Sequence, residues 1–361
     1  MGYPKFIVNT KTLKNNINTI KDLCSRNGIE LCAVTKVFHS NKDIVKIYYN
    51  EGIRYFASSR ITELKDIKEN FKDVKTLLIR IPMMSEVDLV VKYADEVLVS
   101  DLDVVKELDK VALKYKKKQN VILMQDLGDL REGIIDQNEF IDTACYIEKE
   151  LSNIHLLGVG TNLTCYGSIK PTAYNLGLLV STKKLVEERI KRNLEVVSGG
   201  ATTSLGLLVD GTMPEEVNQL RIGELFTRPY CYTEIIDWKK HFPVLDSAFS
   251  IEAEIVEISD KPTYPIGEMA TDAFGHEPLY IDKGVRKRAI VALGKCDVGG
   301  SLDIYPTDSD AYVLGGSSDH TIIDINDSNV DYKVGDIMSF DLSYEAMLVA
   351  SCSRYLEMVI R

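Results

Sequence analysis

Short apolar runs alternate with amphipathic helical segments over the first two thirds of the chain. The segments between the runs, such as "SEVDLVVKYA", have helical periodicity with charged faces. Unbroken apolar runs are typical of parallel strands that are covered on both faces. The runs are "ELCAVTK", "RYFASS", "KTLLIRI", "DEVLVS", "NVILMQDLG", "IHLLGVGTNL", "LEVVSGG" and "NQLRIGELF".

This alternation predicts an α/β fold in which the strands close into a TIM (β/α)8 barrel, because right-handed crossovers join successive parallel strands. An open doubly wound sheet is the alternative. Its usual dinucleotide fingerprint is missing, since "GVGTNL" holds only two of the glycines that the fingerprint needs. The barrel is therefore the favoured fold.

The pattern changes after "TRPYCYTEIIDWKKHFP". From there the apolar runs are short, often alternate with polar residues, and are separated by Gly, Pro, Asn and Asp, which is an all-β pattern. We expect a barrel domain over residues 1–240 and a smaller β domain over residues 241–361. Residues 1–9 contain the strand "KFIVNT", which is a candidate to pair with the β domain.

Composition excludes several classes of function. The chain has 361 residues, 45% of them hydrophobic, and a formal net charge of -11, which disfavours nucleic-acid partners. We find no run of eighteen apolar residues and no signal-peptide pattern in "MGYPKFIVNT", so we expect a soluble cytoplasmic protein. The seven cysteines form no CxxC and no metal-ligand spacing with the histidines, which predicts free thiols and no metal.

Lysine 36 follows the first barrel strand in "ELCAVTKVFHS". One reading of Lys36 is a strand exit into water, and the other is a desolvated amine that attacks an aldehyde. In a barrel the catalytic side chains gather where the strands end. Further polar residues at or near strand ends are Arg80, Gln125, Arg131, Asn162, Thr164 and Arg221.

The loop after the seventh strand reads "SGGATTS". Paired glycines let backbone amides approach an anion, and the hydroxyls of Ser198, Thr202, Thr203 and Ser204 are donors, which favours a phosphate site over a plain capped turn. Barrel phosphate sites recur after strands seven and eight. A lysine for an aldehyde and a loop for a phosphate together indicate pyridoxal phosphate as cofactor.

The ordered motifs resemble those of the alanine racemase family, the barrel-type pyridoxal phosphate enzymes. The motifs "DLGDLREGI", "GTNLTCYG", "PIGEMATDAFG" and "SSDH" look closest to its ornithine racemase-like subgroup. The resemblance covers nearly the whole chain. Its remaining motifs are "AVTKVFHS", "SGGATTSL", "RIGE" and "SYEAM".

The resemblance implies roles for individual residues. Lys36 would hold the cofactor aldehyde and act as one of two catalytic bases. Arg131 would lie near the phenolic oxygen, and Arg221 would face the pyridine nitrogen and keep it unprotonated. Asn162 stands where the family often has a histidine beside that arginine. The implied phosphate contacts are Ser204, the amides of Gly223 and Glu224, and Tyr344 of the β domain.

Racemisation needs a second acid or base, because a proton must leave one face of the α-carbon and arrive on the other. The family takes it from a tyrosine in the partner's β domain. The corresponding stretch "YPIGEMATDAFG" lacks a tyrosine at that place, and Glu268 is the nearest replacement, with Asp272 and Tyr264 as rivals. The resemblance thus implies a head-to-tail homodimer with composite sites.

The resemblance also implies the reaction, which is racemisation of an amino acid. A carboxylate near the mouth suits the cationic side chain of ornithine or lysine. The rival interpretations are a non-catalytic carrier of pyridoxal phosphate, a decarboxylase of the same fold, or a metal-assisted D-amino-acid lyase. Asp319 and His320 of "SSDH" come closest to the metal-ligand pattern that such a lyase would need.

Overall fold

The computed structural model describes residues 2–228, 236–271, 275 and 280–361, apart from the side chains of residues 238 and 239. The chain divides into a unit formed by Lys11–Asp246 and a unit formed by Ser247–Arg361 with the amino-terminal segment up to Thr10. Each unit has its own sheet.

Parallel strands close into a barrel in the first of these units, in the order β2 to β9. This confirms the predicted barrel, and each predicted apolar run supplies one strand. The strands are β2 Glu30–Val34, β3 Tyr55–Ser58, β4 Lys75–Leu78, β5 Glu96–Val99, β6 Gln119–Met124, β7 Ile154–Gly160, β8 Val196–Ser198 and β9 Gln219–Ile222.

Helices alternate with these strands, and polar side chains begin several of them. The Asn41 side chain accepts hydrogen bonds from the amides of Asp43 and Ile44, and Asp101 caps the helix that follows it in the same way. The helices are α1 Thr10–Arg26, α2 Lys42–Asn50, α3 Ile61–Asn70, α4 Val87–Tyr93, α5 Leu102–Lys114, α6 Gln137–Glu150, α7 Ala173–Ile190, α8 Leu205–Val209, α9 Glu224–Thr227 and α10 Trp238–His241. Short 3-10 turns cover Lys36–Phe38, Met84–Glu86 and Thr202–Ser204.

The barrel interior is a packed core rather than a pore. Most of the side chains that fill it are small or apolar, and the tyrosine of β3 lies among them. The buried side chains of this cluster are Cys32, Val34, Tyr55, Ala57, Leu77, Leu98, Ile122, Met124 and Val196.

The second unit is built on a mainly antiparallel sheet with the order β12-β15-β10-β11-β14-β13. The first strand of the chain, β1 Lys5–Val8, pairs antiparallel with β10 and parallel with β16. The other elements are β10 Phe249–Pro262, β11 Val285–Val291, α11 Lys295–Val298, β12 Ile304–Pro306, β13 Tyr312–Gly316, β14 Thr321–Asp324, β15 Ile337–Leu342, α12 Tyr344–Ala350 and β16 Glu357–Ile360.

Two features of this unit differ from the sequence reading. The alternating pattern did not reveal β12, because its three residues are too few to show a period. Tyr344 is the first residue of the helix α12, although the all-β pattern of this domain predicts strands. The Ser343 side chain accepts a hydrogen bond from the Ala346 amide and starts the helix there.

Candidate active site at the barrel mouth

The carboxyl ends of the barrel strands bring most of the sequence-predicted residues to one rim. Lys36 begins the turn after β2, Asn162 and Thr164 follow β7, and Ser198 ends β8. Arg221 lies in β9 opposite Cys32 of β2, so β9 closes the rim next to the lysine strand. We call this rim the mouth.

Lys36 lies in a partly buried setting at the mouth. Burial lowers the pKa of its amine, and the charge of Arg131 acts in the same direction. Cys165, Glu132 and Glu224 oppose that shift, so several ionisable groups act on the amine. A lysine that releases its proton more readily than usual can act as a nucleophile toward an aldehyde and as a base.

Arg221 is buried in the barrel, with 4% of its surface exposed. One terminal nitrogen, Nη1, donates to the Ser198 hydroxyl, and Nη2 donates to the Thr161 carbonyl at 2.7 Å. Burial lowers the pKa of Arg221, but a guanidinium starts from so high a value that it stays charged. The site therefore contains a fixed, donor-only cation.

The loops after β8 and β9 fit a phosphate group. Gly200 has φ of +105°, and a Cβ there would lie 2.8 Å from Ser204 Oγ. Ser204 is fully buried and donates to the Gly199 carbonyl at 2.7 Å. Gly223 packs so closely on Val34 that a Cβ would meet its carbonyl oxygen at 3.3 Å. These positions expose backbone amides to an approaching anion.

Arg131 lies on the loop between β6 and α6. Its guanidinium contacts the carboxylate of its neighbour Glu132 through both oxygens, with Nη2 to Oε1 at 2.6 Å. Hydrogen bonding to Glu132 raises the pKa of Arg131, and burial opposes this shift without cancelling it. In this conformation the arginine is partly exposed and already paired.

Asp129 joins that loop to the loop after β7. It is 1% exposed, and its carboxylate accepts hydrogen bonds from the amides of Thr164 at 2.9 Å and Tyr166 at 3.1 Å. Sequence reasoning missed this residue. The signal was present, because "DLGDL" repeats an aspartate at turn-like spacing, but the partner loop is not deducible from local sequence.

Buried polar atoms without a partner gather at the mouth. Among the described residues, Gln125 Oε1, Thr161 Oγ1 and Asn162 Nδ2 have no hydrogen-bond partner. Such atoms are costly unless a ligand or water satisfies them. Together with the buried amine and the glycine-lined loops, they fit a polar cofactor that has an aldehyde and a phosphate.

The candidates for the second base lie in the other unit. Tyr264 is 43% exposed, and Glu268 lies in an exposed segment between Ile266 and Met269. Tyr344 also belongs to that unit. Asp272 lies outside the described residues.

Two kinds of feature are absent from the described part of the chain. No group of three or more His, Cys, Asp or Glu side chains there has a metal-binding arrangement. No helix there is both long enough and apolar enough to cross a membrane.

Comparison with known proteins identifies the family. Residues 8–228 match the model of the alanine racemase N-terminal domain. The chain is 42% identical to the ornithine racemase of Acetoanaerobium sticklandii, over 98% of this chain and 99% of that protein. It is 37% identical to the lysine racemase of Thermotoga maritima, over 99% of each.

The fold comparison agrees. The structure of alanine racemase from Clostridium difficile 630 superposes with a TM-score of 0.75 at 17% identity, over 100% of this chain and 96% of that one. Sequence and fold thus give the same assignment. The chain belongs to the alanine racemase family of barrel-type pyridoxal phosphate enzymes.

Proposed function

We propose that this enzyme racemises a basic amino acid, with ornithine as the preferred substrate and lysine as the second. The observation that carries the proposal is near-full-length identity of 42% to an ornithine racemase and 37% to a lysine racemase. The carboxylates of Glu132 and Glu224, which act on the Lys36 amine, add negative charge suited to a cationic substrate.

The chain's own residues divide the work as follows. Bound pyridoxal phosphate supplies an electron sink that weakens the α-carbon to hydrogen bond of an attached amino acid. Lys36 holds the cofactor and takes or returns a proton at one face of the α-carbon, which its lowered pKa favours. Arg221 faces the ring nitrogen as a donor that does not give up its proton.

The remaining cofactor contacts are proposed from the family motifs. Ser204, the backbone amides of Gly223 and Glu224, and Tyr344 are the proposed phosphate contacts, and Ser198 is a further proposed residue of the cofactor site. Asn162 orients a cofactor group through the amide nitrogen that has no partner among the described residues. Arg131 would contact the phenolic oxygen, which requires it to leave its pairing with Glu132.

A second proton donor completes the reaction at the opposite face. We assign this role to Glu268, with Asp272 and Tyr264 as the rival residues, and infer that a partner subunit supplies it in a head-to-tail homodimer. Light scattering of the purified enzyme should give the mass of a dimer, and full activity from a monomer would contradict the composite site.

A reducing, cytoplasmic location accompanies this proposal. Cys24 and Cys32 are buried free thiols, and burial raises the pKa of Cys24 to about 12, which keeps that thiol unreactive.

Chiral chromatography tests the proposed function. Purified holoenzyme should convert L-ornithine to an equal mixture of enantiomers, with lower kcat/KM for lysine and a much lower value for alanine. Carbon dioxide release would support the decarboxylase instead. A protein that binds the cofactor on Lys36 and converts none of the three amino acids would support the carrier.

A further inference from the structure

A buried chain of hydrogen bonds runs through the barrel interior from Arg221 toward the amino ends of the strands. Arg221 Nη1 donates to Ser198 Oγ, and Ser198 Oγ donates to Gln219 Oε1 at 2.6 Å. Gln219 Nε2 donates to the Tyr55 hydroxyl at 3.1 Å, and Tyr55 donates to Glu96 Oε2. The chain thus links a cation at the mouth to a carboxylate.

Every member of this chain is removed from solvent. Tyr55, Glu96 and Arg221 are 5%, 2% and 4% exposed, and Ser198 and Gln219 are fully buried. Barrel interiors are usually filled with Val, Ile and Leu, and burying polar groups costs free energy unless they are all paired. Because apolar side chains of similar size would fill this layer, a paired polar chain here suggests a role beyond filling.

The two ends of this chain of hydrogen bonds, Arg221 and Glu96, determine which group donates and which accepts at each link. Glu96 Oε1 pairs with Lys75 Nζ at 2.6 Å, which leaves Oε2 to accept from Tyr55. Tyr55 therefore accepts from the Gln219 amide, so the carbonyl of Gln219 must face Ser198. The lone pairs of Ser198 then face Arg221, whose guanidinium can only donate.

This ordering restricts the orientation of the guanidinium. Thr161 O, at 2.7 Å from Nη2, and the Ser198 hydroxyl hold the two terminal nitrogens of Arg221. If the Ser198 hydroxyl were free to rotate, its hydrogen could turn toward the guanidinium and replace an acceptor with a competing donor. The amide of Gln219 prevents this, because it offers Ser198 an acceptor.

We propose that Tyr55 and Gln219 are positioning residues that hold Arg221 in one orientation toward the cofactor ring through Ser198. The inference rests on the proposed function, which places Arg221 at the ring nitrogen. Neither residue touches the reacting atoms. Their effect is to fix the donor that the ring nitrogen meets, and thereby the electron demand of the cofactor.

Tyr55→Phe tests this proposal, because it removes one hydroxyl and leaves the ring in the core. Tyr48→Phe is the matched control: Tyr48 is fully buried in the same unit, and its hydroxyl has no partner among the described residues. The measurements are the visible absorption spectrum of each purified holoenzyme from pH 6 to about 10, and kcat and KM for L-ornithine.

Tyr55→Phe is expected to shift the pH midpoint or the position of the cofactor absorption band and to lower kcat about 10-fold, with KM changed less than about twofold. Tyr48→Phe should leave the spectrum and kcat unchanged. A Tyr55→Phe enzyme with the wild-type spectrum, pH profile and kcat, altered only in melting temperature, would overturn the proposal.

Gln219→Met provides a second test if Tyr55→Phe does not fold. It interrupts the same chain one link nearer to Arg221 with a side chain of similar length. A folded Gln219→Met enzyme must reproduce the spectral shift, and a wild-type spectrum and kcat would contradict the proposal. A wild-type holoenzyme that racemises nothing would sink the proposed function and still leave the spectral comparison decisive.

Discussion

The two ends of the barrel interior differ in how many of their buried polar atoms have hydrogen-bond partners. At the mouth, three buried polar atoms of Gln125, Thr161 and Asn162 have no partner among the described residues. At the amino ends of the strands, which we call the floor, Lys75, Tyr55, Glu96 and Gln219 are joined by hydrogen bonds and an ion pair. Gln119 Oε1 is an exception at the floor, since it has no partner in the described chain.

The comparison separates polar groups that already have partners in the protein from polar groups that lack one. A buried pair loses several kcal/mol when one member is removed, because the other is left uncompensated. A polar atom that already lacks a partner loses little when it is deleted. Breaking the Lys75–Glu96 ion pair at the floor should therefore lower stability, whereas removing an unpartnered atom at the mouth should lower activity with little change in stability.

Lys36→Ala should give the largest effect at the mouth. Racemisation should fall at least about 1,000-fold, and the cofactor should no longer be trapped on the protein by borohydride reduction. The melting temperature of the apoenzyme should not fall, because the substitution removes an amine whose pKa burial lowers. Lys42→Ala, at the exposed start of α2, is the control and should behave as wild type.

Glu96→Leu should give the largest effect at the floor. It leaves the ammonium of Lys75 and the buried hydroxyl of Tyr55 without their main acceptor, and should reduce the free energy of unfolding by about 3 kcal/mol. Glu30→Leu removes the more exposed carboxylate that pairs with Lys75 at 3.3 Å, and should cost less than about 1 kcal/mol. Urea unfolding measures the loss of unfolding free energy in both variants. Equal losses would show that the buried carboxylate stabilises the fold no more than the exposed one.

Asn162→Ala tests whether a mouth residue affects activity more than stability. Because the amide nitrogen has no partner among the described residues, the unfolding free energy should change by less than about 1 kcal/mol. The rate of ornithine racemisation should fall about 10-fold or more if the amide orients the cofactor. A large loss of stability with unchanged activity would assign Asn162 to the fold instead.

Glu63 accepts hydrogen bonds from the loop that carries Lys36. Burial opposes its ionisation, but hydrogen bonds from His39, Ser58 and Ser40 outweigh burial and lower the pKa of Glu63 from its usual value. A lowered carboxylate pKa adds stability that is present above the unfolded value and is lost as the pH falls through the folded value.

Glu63→Gln should therefore cost about 1 kcal/mol at pH 7, and the difference from wild type should shrink as the pH falls below about 4.5. Urea unfolding at several pH values measures this dependence. A difference that is constant with pH would show that the carboxylate charge does not stabilise the loop.

Much of the fold could be predicted from the sequence, because unbroken apolar runs at regular spacing leave few topologies besides the barrel. The lysine at the end of β2 could be found for the same reason. Ser343 is a cap signal for α12, but an all-β interpretation of the second domain overlooks it.

The floor could not be predicted. Tyr55, Glu96 and Gln219 are the first residues of three strands that are far apart in sequence, and each taken alone reads as the polar edge of a strand. Their contact depends on barrel closure and on the register of β3, β5 and β9, which local patterns do not encode.

Exchange of the α-hydrogen for deuterium shows directly whether the enzyme racemises a basic amino acid with Lys36 as a base. L-ornithine, L-lysine and L-alanine would be followed by NMR in deuterated buffer with wild-type holoenzyme and Lys36→Ala, together with chiral analysis. The account predicts exchange with inversion for ornithine, slower exchange for lysine, and none with Lys36→Ala. Exchange that persists without Lys36, or that occurs only with alanine, would contradict it.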